Sequence, residues 1–555
     1  MKKITLLLVC AYFLTACGGT NSQSSADLTP SFFNTVVQFL TNAPSTEIKT
    51  YAASRFLDQA SFGPNPAAIA DLKSRGMAAW IDAQLALPAS QIDASFTEDW
   101  NPATTPGVLG QPYRDFFTRQ FLNLQLSGSD QLRLRTTLAL SQFMVVSEIK
   151  ISSFGITQYF NLLQTYGLGN FSDLLRAVSK SPSMGTYLDN QFNRKDGSCD
   201  NCSLNENFAR ELMQLFTLGV AQLNQDGSVK RDANGKLLET YSQDDVQAMT
   251  RALTGWAGVN PLPPGSLAYS VYRWPMVVPW TPGHDTGEKK LLGKTIPAGG
   301  TAEQDLESVI VILMGHPNLA PFISLRMIQH LVSSDPSPAY IARMSAVFNN
   351  NGSGVKGDMK ALVRAILLDP EARLADDASV QTNGLGKLRE PLLFTSALLR
   401  GLQCTTVPLN EYGNIFQTKN QQAFNAQTVF SFYAPTDRAP VSQLLAPEQK
   451  LLTTLELRTR LDNFTELANL PKNLSDAGCK YDEFLTAYDK STRDFLNLIS
   501  ARYFRGSLSP TLREAAETVI NEQYFGSPAN YWTSARRAAF VMQILLTSPS
   551  FGTIK

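Results

Sequence analysis

Apolar residues recur every three or four positions along much of this chain, which is the period of an α-helix with one buried face. The clearest run is 204–220, LNENFARELMQLFTLGV, whose apolar face is made by Leu204, Phe208, Leu212, Leu215 and Phe216. Asn205 is predicted to cap the start of this helix and Gly219 to end it. Glu211 lies against the apolar face, where an unpaired carboxylate is costly. We expect Arg210, a hydrogen-bonding group from elsewhere or a bound ligand to hold it.

The same period predicts helices over most of the remaining chain. They fall at 51–87 (two helices), 130–147, 158–178, 242–256, 302–316, 318–333, 336–349, 358–368, 386–402, 447–470, 480–500, 509–523 and 534–548. Between residues 222 and 240 the turn dipeptides Asp226-Gly227 and Asn234-Gly235 flank short polar strands and predict a β-hairpin. The predicted fold is mainly α, a large single multi-helix domain with one small β-hairpin and long Pro/Gly-rich loops.

The N-terminus has the pattern of a lipoprotein leader. Two lysines precede an apolar run, and the segment ends in Leu14-Thr15-Ala16-Cys17, which resembles a bacterial lipobox. We expect a signal peptide over 1–16, acylation (palmitate) at Cys17, a flexible tether over 17–50 and the helical domain over 51–555. The protein is then anchored to a membrane by its lipid and lies outside the cytoplasm in the bacterial cell envelope. Gly18 after the cysteine favours the outer membrane, where one exists.

Composition limits the function more than it defines it. The chain has 48 basic and 48 acidic residues, and loss of the leader removes Lys2 and Lys3, leaving a charge of about −2. That balance argues against a nucleic-acid partner, which needs a basic excess or stripe. The chain has only 3 histidines, few for a protein built around a multi-histidine metal centre.

Three central segments carry a family resemblance. FARELMQLFTLGV, YSQDDVQAMTRALTGW and GHDTGEKKLLG resemble the bacterial domain-of-unknown-function 1800 family, and the closing RAAFVMQILLTSPSF is similar to the end of that family. The likeness covers roughly residues 51–551. It implies one large, helical, extracytoplasmic domain, and no activity comes with it. Many relatives have His where this chain has Phe216, which weakens any mechanism that needs an imidazole there.

The strongest polar cluster surrounds the 204–220 helix. In the functional interpretation, Glu206, Arg210 and Glu211 are catalytic, with a glutamate as general base or metal ligand. Four asparagines would then orient the substrate: Asn190, Asn193, Asn205 and Asn207. In the structural interpretation, Glu206 and Arg210 form a surface pair four residues apart, and buried hydrogen bonds fasten the 182–203 loop. The sequence leaves both interpretations open.

A second candidate group lies in the glycine-flanked loop of GHDTGEKKLLG. His284 and Asp285 are either catalytic groups displayed by the loop or a turn staple, and the sequence favours neither. A divalent cation is a candidate cofactor, with Glu211, Asp245 and Asp285 as its oxygen ligands. For Asp245, near the start of a helix, the simpler interpretation is a favourable interaction with the helix N-terminus.

Cysteine spacing indicates one local disulfide. Cys199-x-x-Cys202 is followed by Ser203, which disfavours haem attachment, and an oxidising compartment favours a bridge. Cys404 and Cys479 are a possible second pair that sequence alone does not establish.

Two hypotheses for the function follow. In the first, the protein is an envelope hydrolase that uses Glu206, Arg210, Glu211, His284 and Asp285, with or without a divalent cation. In the second, it is a non-catalytic lipoprotein that binds a surface polymer or a protein partner, and the polar cluster serves the fold.

Overall fold

The structure is a computed structural model, and it describes residues 48–93, 111–198, 203–258, 276, 283–380, 386–410, 413–414, 420–469, 471–521 and 533–554. The leader, the acylation site at Cys17 and nearly all of the tether lie outside the described residues. So do Cys199 and Cys202, and the disulfide expected between them stays a prediction.

The N-terminal half of the described chain is a succession of helices separated by capped turns. Its α-helices are α1 Thr50–Ala60, α2 Pro66–Arg75, α3 Met77–Ala86, α4 Gln111–Ser127, α5 Gln131–Ser141, α6 Ser153–Tyr166, α7 Phe171–Ser179, α8 Pro182–Tyr187, α9 Asn207–Glu211 and α10 Gln243–Ala252. A π-helix, Leu212–Thr217, continues α9. Local signals explain several ends: Asn65 caps α2 by accepting the Ala68 N–H, with Pro66 in the first turn.

The C-terminal half continues the pattern. Its α-helices are α11 Ala302–Gly315, α12 Leu319–Leu331, α13 Pro338–Asn349, α14 Met359–Leu368, α15 Pro370–Arg373, α16 Pro391–Gly401, α17 Thr454–Asn469, α18 Pro471–Asp476, α19 Tyr481–Lys490, α20 Thr492–Tyr503, α21 Pro510–Asn521 and α22 Ser534–Leu546, with 3₁₀ turns at Leu374–Asp376 and Pro447–Leu451. The helix predicted over 480–500 is two helices, because Ser491 leaves the helical backbone and caps α20. The mainly α prediction is confirmed.

Strands are short in the described chain. Three antiparallel pairs form: β1 Lys289–Leu291 with β2 Lys294–Ile296, β3 Lys387–Leu388 with β6 Thr553–Ile554, and β4 Leu409–Asn410 with β5 Gly413–Asn414. The single hairpin predicted over 222–240 is wrong in detail. Both predicted turns exist, with Gly227 and Gly235 at φ 77° and 80°, but they join three limbs through isolated bridges. The side chains of this segment are mostly polar and exposed, so a longer β-ladder would have no buried face to stabilise it.

The apolar residues pack into two cores. The first is formed mainly by α1–α15, and the second mainly by α17–α22 together with Leu122 and Leu126 of α4. Helix α16 contributes to both cores. A disulfide between Cys404 and Cys479 joins the residues that follow α16 and α18, 75 positions apart in sequence. The pairing that the sequence left open is therefore present, and it lies at the second core.

None of the described helices is long and apolar enough on its own to cross a bilayer. Helices α11 and α12 reach that length and apolarity only as a pair bent by 78°.

Candidate functional site

A surface pocket of about 330 Å³ opens beside the start of α9. It is lined by Asp189, Gln191, Phe192, Asn193, Arg194, Ser203 and Asn205. The volume is at the lower end of the range for small-molecule sites. We call it the Asp189 pocket. Two residues predicted to contact substrate, Asn193 and Asn205, are among its walls.

Two residues in the pocket loop have an unusual backbone conformation. Asp189 and Phe192 have φ values of 59° and 67°, in the left-handed region that costs a non-glycine residue free energy. Phe192 nevertheless keeps 57% of its surface exposed, so burial of its ring does not repay that cost. Strain of this kind persists where the surroundings enforce it, and it concentrates at functional sites.

The enforcing contacts come from both sides of the loop. The Asn193 amide binds the backbone of Asn205 twice, accepting its N–H at 3.0 Å and donating to its carbonyl at 2.8 Å. On the other side, the Phe192 N–H donates to the Trp256 carbonyl, and the Gly255 N–H donates to the Asn193 carbonyl. The loop is therefore fixed between the start of α9 and the turn after α10.

Asn205 does not cap α9 in the predicted way. The helix begins two residues later, at Asn207, whose N–H donates to the Asn205 side chain at 3.0 Å. Asn205 lies outside the helix because its backbone N–H and carbonyl are bound by the Asn193 amide. The Asn207 amide in turn donates to the Asp189 carboxylate at 3.3 Å, which ties the first turn of α9 to the pocket wall.

Glu206 and Arg210 form the predicted ion pair, with 2.9 Å between Oε2 and Nη2. Gln243, at the start of α10, donates to both Glu206 oxygens and accepts from Arg210. The pair is partly exposed, and each group satisfies the other. Gln243 was missed from the sequence, because nothing in the spacing of α9 indicates a partner on the next helix.

Glu211 is buried and unpaired. Only 7% of its surface is exposed, and no group among the described residues hydrogen-bonds to its Oε2. Burial raises the pKa of this carboxyl, and the nearby Arg210 charge offsets part of that effect. Of the three partners expected from the sequence, Arg210 bonds elsewhere, and no side chain among the described residues replaces it. A bound ligand therefore stays one of the candidates.

Two tyrosines lie near Glu211. Burial raises the pKa of Tyr187 and Tyr241, and the negative charge of Glu211 adds to both shifts. The π-helix starts at the residue after Glu211, and π segments are frequent at functional sites. Glu211 is one helical turn, about 6 Å along the axis, from Asn207, which reaches the pocket wall.

Further hydrogen-bonding capacity beside the pocket is unused. The side-chain nitrogens of Asn190 and Gln191 are buried and have no acceptor among the described residues. Both nitrogens are donors in the pocket loop that the described residues leave without an acceptor. Buried polar atoms are rarely left without partners in proteins.

His284 and Asp285 lie at the other end of α10. Asp285 is bound through both oxygens by Arg251, which is eight residues and therefore about 12 Å along the helix from Gln243. Burial acts to raise the pKa of Asp285, but the Arg251 hydrogen bond and the Gly287 N–H outweigh it and the pKa falls. This carboxylate is thus satisfied locally.

The imidazole of His284 is also held locally. Its Nδ1 lies 3.0 Å from the Thr254 carbonyl, and its Nε2 lies 3.3 Å from Asp305 without hydrogen-bond alignment. Gly255, at φ 91°, packs so closely that a Cβ there would be 3.0 Å from the His284 Cβ. The loop of His284 therefore packs against the turn at Gly255 and Trp256, which hydrogen-bonds to Phe192 and Asn193. The structure therefore does not assemble the five predicted catalytic residues into one cluster.

The predicted cation ligands are also apart. Asp245 accepts from Ser242 in a capping box and from the Leu292 N–H, and Asp285 is occupied by Arg251. Across the residues that the structure describes, no three His, Cys, Asp or Glu side chains come together as a metal site. Glu211 is the member of the predicted set that keeps a free oxygen.

Fold and site together define a large helical domain with a strained, polar pocket at the start of α9 and a buried acid at the end of the same helix. The comparisons with known proteins identify the family. The model of the family described as "Protein of unknown function (DUF1800)" matches residues 55–553, and the chain belongs to that family. No curated protein and no solved structure shows significant similarity to it.

Proposed function

We propose that this protein is an exported, lipid-anchored cell-envelope protein that binds a hydroxyl-rich envelope polymer, a polysaccharide, in the Asp189 pocket. The observation that carries the proposal is the composition of the pocket. Amide groups that donate and accept hydrogen bonds, a carboxylate that accepts them and a guanidinium that donates them surround one exposed aromatic ring, Phe192. Sugars present hydroxyl groups at their edges and C–H faces that pack on aromatic rings, so this combination suits them.

Two features support the location. The leader and Cys17 have the pattern of an acylated export signal. The Cys404–Cys479 disulfide is of the kind that persists outside the cytoplasm, where thiols are not kept reduced. Labelling with radioactive palmitate tests the anchor: the wild type should incorporate label and fractionate with membranes. A Cys17→Ala variant that kept both properties would contradict it.

Binding is tested by co-sedimentation of the purified protein with insoluble envelope polysaccharides. Phe192→Ala should weaken retention at least about tenfold, because loss of a well-packed aromatic contact costs more than about 1.4 kcal/mol. Phe430→Ala is the matched control, since this ring is also exposed (43%) but lies away from the pocket. Failure of the wild type to bind any envelope polysaccharide, or equal losses in both variants, would refute the proposal.

A second candidate function is hydrolysis of the same polymer, and Glu211 favours it. Burial raises the pKa of this carboxyl, and a carboxyl whose pKa is raised is better suited to donate a proton to a leaving group or to accept one from the attacking water. Water cleaves the bond, so no oxidant or reductant is needed. Release of new reducing ends by the wild type, with binding retained and release lost in Glu211→Gln, would support hydrolysis. If the wild type releases no reducing ends, hydrolysis is refuted and the protein only binds the polymer.

A further inference from the structure

The carboxylate and amide oxygens on the wall of the Asp189 pocket already accept hydrogen bonds from the protein. Both oxygens of Asp189 are engaged: Oδ1 accepts from the Lys150 ammonium, and Oδ2 accepts from the Asn207 amide at 3.3 Å. The side-chain oxygen of Asn193 accepts the Asn205 N–H at 3.0 Å. These acceptors hold the loop together.

The other two amide oxygens of the wall are engaged in the same way. The Gln191 Oε1 accepts from the Thr186 hydroxyl at 2.9 Å, and the Asn205 Oδ1 accepts the Asn207 N–H at 3.0 Å. The hydroxyl of Ser203, which is exposed, completes the polar wall. A hydroxyl both donates and accepts, so Ser203 can serve a ligand in either direction.

The donors of the same wall are less fully used. The Gln191 Nε2 is buried and has no acceptor among the described residues. Asn205 is exposed at the pocket, and the hydrogen bonds of its side chain to described residues run through Oδ1, which leaves Nδ2 to a ligand or to solvent. Arg194 adds a guanidinium, which has donors and no acceptor. The unused capacity of the wall therefore consists mainly of donors.

An apolar surface lies among these donors. Phe192 is between Gln191 and Asn193 in sequence, lines the same pocket and keeps 57% of its surface exposed. Its backbone N–H donates to the Trp256 carbonyl, which fixes the residue in the wall. A ligand that suits this pocket carries a hydrogen-bond acceptor and a small apolar group close together.

The common substituents of a sugar ring differ in these two respects. An ammonium group only donates, so it would oppose the unused donors. A hydroxyl group donates and accepts, but it has no apolar part. An acetamido group has a carbonyl oxygen that accepts hydrogen bonds and, two bonds away, a methyl group that packs on an aromatic ring.

We propose that the Asp189 pocket selects an acetamido group, so that the bound polymer is a polysaccharide of N-acetylated amino sugars. The acetamido carbonyl accepts from the Asn205 and Gln191 amides, and its methyl group packs on Phe192. Its N–H donates to the Ser203 hydroxyl. This inference rests on the polysaccharide-binding function proposed above and narrows it to one chemical class.

Three soluble β-1,4-linked hexasaccharides test the selection, because they differ at carbon 2 of each sugar ring. The hexamer of N-acetylglucosamine carries an acetamido group there, that of glucose a hydroxyl and that of glucosamine an amine. Isothermal titration calorimetry of the full mature chain at pH 7.5 should show affinity for the acetylated hexamer at least about tenfold above that for the other two. One further hydrogen bond and one buried methyl group together account for a factor of that size.

The outcomes separate this inference from the proposed function. A wild type that co-sediments with envelope polysaccharides but binds the three hexamers equally, or binds none of them, would overturn the inference and leave polysaccharide binding standing. A wild type that binds neither the polysaccharides nor the hexamers would refute both.

Asn205→Asp tests the assigned donor, because it removes Nδ2 and keeps the oxygen that accepts from Asn207. Affinity for the acetylated hexamer should fall about fivefold, and affinity for the glucose hexamer should change less, so the preference narrows. Gln191→Glu should act in the same direction. Gln427→Glu is the matched control, since it changes an exposed amide outside the pocket wall, and it should bind like the wild type. A preference that is unchanged in both pocket variants would overturn the proposal.

Discussion

Replacing Glu211 by Gln tests whether this carboxylate binds a ligand or stabilises the fold. The change preserves the shape of the side chain and removes its charge. In the structure this carboxylate is buried and its Oε2 is unpaired, so the charge does not stabilise the folded state. We therefore expect Glu211→Gln to be at least as stable as the wild type at neutral pH.

The magnitude follows from the cost of leaving a buried polar group without a partner, about 1–3 kcal/mol. The Gln amide must also be buried, and the Arg210 charge offsets part of the wild-type cost, so the gain should be about 1 kcal/mol. For a chain of this length, the entropy of unfolding converts that into a rise in Tm of about 1 °C.

The pH dependence gives the same prediction a sign. Burial raises the pKa of Glu211 in the folded state above the ordinary value of 4.5. As pH rises above 4.5, Glu211 loses its proton in the unfolded chain before it does so in the folded protein. The wild type therefore loses stability relative to the variant over this range of pH. The difference in Tm should therefore be absent near pH 4 and should grow toward neutral pH.

Scanning calorimetry of both proteins from pH 4 to pH 8 measures this difference, with the exposed Glu239→Gln as control. That surface change should stay within about 0.5 kcal/mol at every pH. A Tm for Glu211→Gln several degrees below the wild type at neutral pH, with the gap closing on acidification, would refute the reasoning. It would mean that the carboxylate is paired and serves the fold.

Three other substitutions have expected outcomes. Glu390→Gln breaks a buried ion pair with the lysine three residues before it, so calorimetry should show a loss of about 3–5 kcal/mol; a neutral result would contradict this contact. Replacing Cys404 and Cys479 by Ser frees a 75-residue loop and should cost about 4–5 kcal/mol in urea unfolding; an unchanged free energy of unfolding would contradict the bridge. Asn193→Ala leaves the Asn205 backbone groups unpaired, so it should lower stability by about 1–3 kcal/mol and weaken polymer binding; unchanged binding would separate the loop from the site.

The sequence predicted where most helices lie, but it did not predict breaks and irregular turns within them. Capped starts such as Asn65-Pro66 were found because the signal is local. The π-helix after Glu211 was not, because one extra residue per turn leaves the apolar spacing nearly unchanged over six residues. Likewise, Ser491 interrupts a run whose hydrophobic period continues on both sides.

The site was predicted in part for a similar reason. The Glu206–Arg210 pair is four residues apart on one helix and was found from its spacing. The strained conformations of Asp189 and Phe192 depend on contacts with Asn205 and Trp256, which are distant in sequence. Proximity of this kind leaves no trace in residue spacing.

We propose the Asp189 pocket as the place where this protein binds its ligand. Hydrogen–deuterium exchange with and without a soluble fragment of the bound polysaccharide tests it most directly. The account predicts slower exchange in the segments 189–194 and 203–207, which form the pocket wall and the start of α9. Protection confined to other parts of the chain, with these two segments unchanged, would contradict it.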